Sequence, residues 1–139
     1  MLKSLFALSL FATATFAQNA ALGLPMFNQT VNPGSDLIVQ VQRPNSLTGS
    51  EEVAVVIGLQ SCANRPCTPP SDYLGNILYN GPFKPQYHEQ YLPPYQNFTV
   101  QIPSTASAGT ALIGVAHITL VGAGLFPYLE TLNQTITIT

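Results

Sequence analysis

Apolar and polar residues alternate with a period of two in stretch after stretch of this chain, and the 3.6-residue period of a helix never holds for long. In Phe27 to Val31, Phe27 and Val31 fall on one face and Asn28 and Thr30 on the other. In Asn97 to Ile102, Phe98, Val100 and Ile102 oppose Asn97, Thr99 and Gln101. In Leu132 to Thr139, Ile136 and Ile138 oppose Asn133, Thr135, Thr137 and Thr139. Side chains that alternate this way point to opposite sides of a strand, so each stretch reads as a half-buried strand. Between them, Leu37 to Gln42 reads as another half-buried strand, opened by the turn Asn32-Pro33-Gly34-Ser35. Val53 to Leu59 is apolar on both faces and is expected at the centre of a sheet. Tyr73 to Tyr79 is a weaker strand, and Ala111 to Val121 is a long one that turns at Gly122-Ala123-Gly124. About 6–8 short strands with Pro- and Gly-rich turns at this spacing predict an all-β, antiparallel, immunoglobulin-like sandwich, with a closed barrel as the alternative.

The first residues, MLKSLFALSLFATATFAQ, carry one base, an apolar core from Leu5 to Phe11, and small residues up to Ala17. That is the layout of a secretory signal peptide, expected over residues 1–17, and the apolar run is short of the roughly 20 residues that span a bilayer. Residues 18–139 are expected to form a single domain. Charged residues are 7% of the chain, with six acids against four bases. The basic stripe that binds nucleic acid is missing. No membrane anchor is expected, and the protein is expected to be secreted, extracellular or wall-associated.

Three tripeptides, Asn28-Gln29-Thr30, Asn97-Phe98-Thr99 and Asn133-Gln134-Thr135, fit the N-glycosylation pattern. Their Asn and Thr are two apart, so on a strand both face outward, and Asn28, Asn97 and Asn133 are the expected glycan carriers. Cys62 and Cys67 are the two cysteines of the chain. In a secreted protein they are expected to pair, clamping a short loop. Their C-x4-C spacing is not a redox motif, and no further cysteine completes a zinc site, so no metal and no cofactor are expected. His117 sits in an apolar strand and reads as a satisfied core or edge histidine. His88 precedes Glu89, but neighbours on a strand diverge unless the chain bends. Asp36, Asp72, Glu51, Glu52, Glu89 and Glu130 read as solvated charges at turns and strand ends. No spacing singles out a catalytic pair, so the chain is expected not to be an enzyme.

The most unusual run is YNGPFKPQYHEQYLPPY, residues 79–95, with a ring at every fourth position: Tyr79, Phe83, Tyr87, Tyr91 and Tyr95. Pro82, Pro85, Pro93 and Pro94 rule out a continuous helix. The five rings are either a ligand-binding ladder on an extended edge, stacking on sugar faces, or the anchors of a long connection packed over the sandwich rim.

The order of features resembles the immunoglobulin-like N-terminal domain of the fungal Kre9/Knh1 cell-wall proteins. The matching stretches are Leu24-Pro25, the run from Thr30-Val31-Asn32-Pro33-Gly34-Ser35 to Val39, Asn97 to Ser104, and the strand that ends in Thr135-Ile136-Thr137-Ile138. The resemblance implies one small sandwich with a secreted or wall-associated role linked to β-glucan assembly, and it carries over no catalytic residue. The expected function is therefore a glycosylated, non-catalytic module that is structural or binds cell-wall polysaccharide, β-glucan or chitin. Two alternatives remain: a secreted effector or signalling protein that binds an extracellular protein, and a small extracellular enzyme or inhibitor acting on wall polysaccharide.

Overall fold

The computed structural model describes residues 20–45 and 49–139. The expected signal peptide, residues 1–17, lies outside the described residues. Those residues form eight strands and no helix: β1 (Ala21–Leu24), β2 (Gln29–Val31), β3 (Asp36–Gln42), β4 (Ser50–Ser61), β5 (Asn76–Pro82), β6 (Tyr95–Gln101), β7 (Gly109–Val121) and β8 (Phe126–Ile138). A three-stranded sheet, β1-β3-β6, packs on a five-stranded sheet, β2-β8-β7-β4-β5. All pairings are antiparallel except that of β2 with the end of β8. This is the antiparallel, immunoglobulin-like sandwich that the alternation predicts.

The inner faces close the core by that same alternation. Leu37, Val39 and Val41 of β3 and Phe98 and Val100 of β6 meet Val55, Ile57 and Leu59 of β4, Ala111, Ile113 and Val115 of β7, and Ile136 and Ile138 of β8. Burying each of the larger side chains contributes about 1.5–3 kcal/mol relative to exposure. As expected, β4 is interior to its sheet, flanked by β7 and β5.

Two predicted strands are corrected. The stretch that begins at Phe27 is a turn up to Asn28, where φ is +57°, and the strand starts at Gln29. Phe27 is therefore exposed rather than packed beside Val31, and Asn28 is exposed in a turn, while Asn97 and Asn133 are exposed on strands. That turn, which includes a cis Leu24–Pro25 bond, carries the chain from the smaller sheet to the larger one. The weak strand begins at Asn76, not Tyr73, because Gly75 holds φ at +82° and breaks the extended run.

Candidate functional site

The loop from Cys62 to Gly75 lies flat on the outer face of the five-stranded sheet, over the centre of β4 and β7. Two glycines make room for it. Gly58 and Gly114 are register partners on these strands. A Cβ on Gly58 would come within 2.3 Å of the Leu74 carbonyl oxygen, and one on Gly114 within 3.2 Å of Leu74 and Pro70 side-chain atoms. Gly75 is as tightly placed, since a Cβ there would meet the Leu59 carbonyl at 2.2 Å. Gln60 then pins the loop: its side-chain amide donates to the Thr68 and Tyr73 carbonyls at 2.9 and 3.3 Å, and its oxygen accepts from the Thr68 N–H at 2.5 Å. The Cys62–Cys67 disulfide closes the loop's first half, as expected from the sequence. Closing so short a ring contributes about 2 kcal/mol in the chain-entropy account.

What this anchored loop presents is an arginine on a tyrosine. The Arg65 guanidinium carbon sits 5.6 Å from the centre of the Tyr73 ring, within reach of a cation–π interaction. Both residues are exposed. No described carboxylate pairs with Arg65. On one side the stack borders a cleft of about 270 Å³, lined by Ser61, Asn76, Thr105 and Ser107 among others. On the other side Tyr73 and Leu74 wall a shallow groove of about 400 Å³, completed by Pro70, Ala116 and Leu129. Sequence reading passed over both Arg65 and Tyr73. The only local hints were the cysteine pair and the glycines around them.

The aromatic run does not form a common face. Phe83 is in the core, edge-on to His117 with ring centres 5.3 Å apart. Tyr79 packs on Phe98 at 4.6 Å and donates its hydroxyl to the Pro82 carbonyl at 2.8 Å. Tyr95 is buried, donates to Glu89 at 3.0 Å and stacks on His88 at 4.2 Å. Only Tyr87 and Tyr91 stand out, 64% and 82% exposed. The reason is a fold-back: Gln86 bridges Tyr95 antiparallel, so the run is never one extended strand, in which period four would align. The same bend lets His88 and Glu89 converge on Tyr95 instead of diverging.

The second polar cluster is internal. Glu52 of β4, His117 of β7 and Glu130 of β8 lie on the inner face at one end of the sandwich and are nearly sealed from solvent. Two of the acids read from sequence as solvated, Glu52 and Glu130, are therefore buried. His117 donates from Nδ1 to Glu130 at 2.8 Å and from Nε2 to Glu52. Glu52 also pairs with Arg43 at 2.9 Å and accepts from Ser50 at 2.8 Å. The Ala20 N–H donates to Glu130 at 2.7 Å. Burial alone would lower the His117 pKa, but hydrogen bonds to Glu130 and Glu52, together with their charges, raise it to about 9. Burial would raise the Glu52 pKa, yet its bonds to His117 and Ser50 and the charges of His117 and Arg43 bring it below the ordinary value. The result is an imidazolium held between two carboxylates, with Arg43 completing the charge balance. The cluster is enclosed except at Arg43, and its groups are paired with one another. Among the described residues, no group of three or more His, Cys, Asp or Glu residues is placed to hold a metal ion.

A model of the Nis1 family matches residues 15–137; no match supports the Kre9/Knh1 resemblance. No curated protein matches the chain. Among solved structures, the fold is similar to that in the crystal structure of a cellulose-active polysaccharide monooxygenase from M. thermophila, at 12% identity and a TM-score of 0.46. The similarity covers 81% of this chain and 54% of that one, so the chain spans about half the length of that structure.

Proposed function

The chain belongs to the Nis1 family, and for it we propose a secreted, non-catalytic binding role, of the effector or signalling kind, in which the disulfide-clamped loop docks on a partner protein. The observation that carries this reading is the exposed, ion-pair-free Arg65–Tyr73 stack on a rigidly seated loop. Arginine and tyrosine are the residue types that dominate binding hot spots, and a preformed loop loses little entropy when it docks. The neighbouring cleft offers hydroxyls and amides, and the groove offers apolar walls, which together suit a protein surface of mixed character. The non-catalytic part rests on the carboxylates: none lines the cleft, and the groove carries only Asp72.

The polysaccharide reading keeps one observation of its own, the exposed pair Tyr87 and Tyr91. One experiment separates the two. Wild type, the double variant R65A/Y73A and the double variant Y87A/Y91A are compared for capture of extracellular proteins and for co-sedimentation with insoluble β-glucan and chitin. The expected result is a specific protein partner held by wild type and Y87A/Y91A. The R65A/Y73A variant should weaken it by about 30-fold, the effect of a hot spot of about 2 kcal/mol. Co-sedimentation with polysaccharide that is lost in Y87A/Y91A would replace this reading with the carbohydrate one. Partner capture unchanged in R65A/Y73A would refute the site.

A further inference from the structure

On the outer face of the smaller sheet, a relay of side-chain amides ends on a sequon. Gln42 Nε2 donates to Gln40 Oε1 at 2.8 Å, and Gln40 Nε2 donates to Asn97 Oδ1 at 3.1 Å. Gln40 stands opposite Asn97 in the β3–β6 ladder and is only 9% exposed, although it points away from the core. The room for this comes from β1. At Gly23, where the register of β1 on β3 shifts, a Cβ would collide with the Gln40 and Gln42 side-chain amides. All strands of the smaller sheet thus help to hold one asparagine side chain.

The direction of the relay fixes which end of the Asn97 amide is left over. Gln40 commits its oxygen to Gln42, so toward Asn97 it donates, and the Asn97 oxygen accepts. Nδ2 is left with no acceptor among the described residues, and Nδ2 is the atom to which an N-linked glycan is joined. That linkage replaces one N–H and keeps the carbonyl oxygen, so the relay survives the modification.

We propose that the relay seats an N-linked glycan at Asn97, whose first N-acetylglucosamine lies with its apolar face on Ile38. Gln40 and Gln42 take up one side of Asn97 on this face. On the other stand Thr99 and, opposite it on β3, Ile38. Ile38 is 44% exposed among the polar neighbours Asp36, Gln40, Thr99 and Gln101. A pyranose ring matches such a spot: its C–H face covers the side chain, and its hydroxyl and acetamido groups stay in water at the rim. Because the Asn97 side chain is already held, ordering the sugar costs less rotamer entropy than it would on a freely turning asparagine. The glycan then covers the outer face of the smaller sheet, and the Arg65–Tyr73 stack stays clear on the outer face of the larger one.

The test uses the protein secreted from a eukaryotic host and treated under native conditions with peptide N-glycosidase. The enzyme turns each released asparagine into aspartate, so mass spectrometry follows every site separately. A seated sugar must lift before the enzyme reaches the linkage. Ile38→Ser removes the apolar seat, and Gln40→Met removes the relay at similar side-chain volume. In each variant the Asn97 glycan should be released about tenfold faster than in wild type, with an unchanged far-UV spectrum and an unchanged rate at Asn133, on the other sheet. After denaturation, all three proteins should release it at one rate. An Asn97 that carries no glycan would overturn the proposal. So would native release at Asn97 that either variant leaves unchanged, or an equal acceleration at Asn133, which marks general loosening.

Discussion

The buried Glu52–His117–Glu130 cluster makes stability depend on pH in a definite direction. The folded His117 pKa of about 9 lies above the ordinary 6.5, so the folded chain holds this proton over a range where the unfolded chain releases it. The stabilisation is complete below about 6.5 and disappears as the pH rises through about 9. The gap between about 9 and 6.5, at 1.36 kcal/mol per pH unit, sets a ceiling of about 3 kcal/mol. Two features lower it. Arg43 opens one end of the cluster to screening solvent, and Glu130 keeps a buried oxygen with no partner, so about 2 kcal/mol is the expected loss. Glu52 acts in the opposite sense: its lowered pKa stabilises above about 4.5, and that part is lost as acid protonates the folded carboxylate. The plateau therefore runs from about pH 4.5 to 6.5. Thermal unfolding followed by circular dichroism should show the midpoint falling by about 6–12 °C between pH 6.5 and 9.5, scaled for a domain of this size. His117→Gln should be less stable at pH 6 and should lack that fall, which separates the cluster from the α-amino group and other titrations. A wild-type midpoint that is flat or rising across the range, or an equal fall in His117→Gln, would refute the assignment.

Two further outcomes test the rest of the structure. Gly58→Ala places a methyl against the Leu74 carbonyl; it should destabilise by about 1–3 kcal/mol and make the 62–75 loop the first site of limited proteolysis, while cleavage elsewhere keeps its wild-type rate. The exposed side chains of Asn28, Asn97 and Asn133 should each carry a glycan when the protein is secreted from a eukaryotic host. Each Asn→Gln change should then lower the intact mass by one glycan, and an unchanged mass at any position removes that site.

The strands were legible because a period of two is a local signal that needs no partner: Phe98, Val100 and Ile102 are buried as their spacing requires. The errors fell where one residue leaves the extended region. Asn28 with positive φ turned an alternating stretch into a corner, and Gly75 did the same at the head of β5. Neither conformation is written in the apolar pattern. The Arg65–Tyr73 stack was illegible for a different reason: it depends on a loop folding back over glycines fifty-six positions apart in sequence, Gly58 and Gly114.

The buried cluster lies between these cases. His117 shares parity with Ala111, Ile113 and Val115, and Glu130 shares it with Ile136 and Ile138, so strand alternation alone places both on the inner face. Glu52 breaks the rule. Counting back from Val55, Ile57 and Leu59 puts Val53 inside and Glu52 outside, yet Val53 is exposed and Glu52 is buried. The cause is a shift of register between Glu52 and Ala54, where β4 carries one residue more than β7 opposite it. Such a bulge exchanges the faces of everything beyond it. Without it, Val53 would take the inward position opposite Thr119 that Glu52 holds, and the imidazolium would be left with Glu130 as its sole carboxylate partner and Arg43 with none. One extra residue in β4 thus creates both the ion cluster and the pH dependence that follows from it.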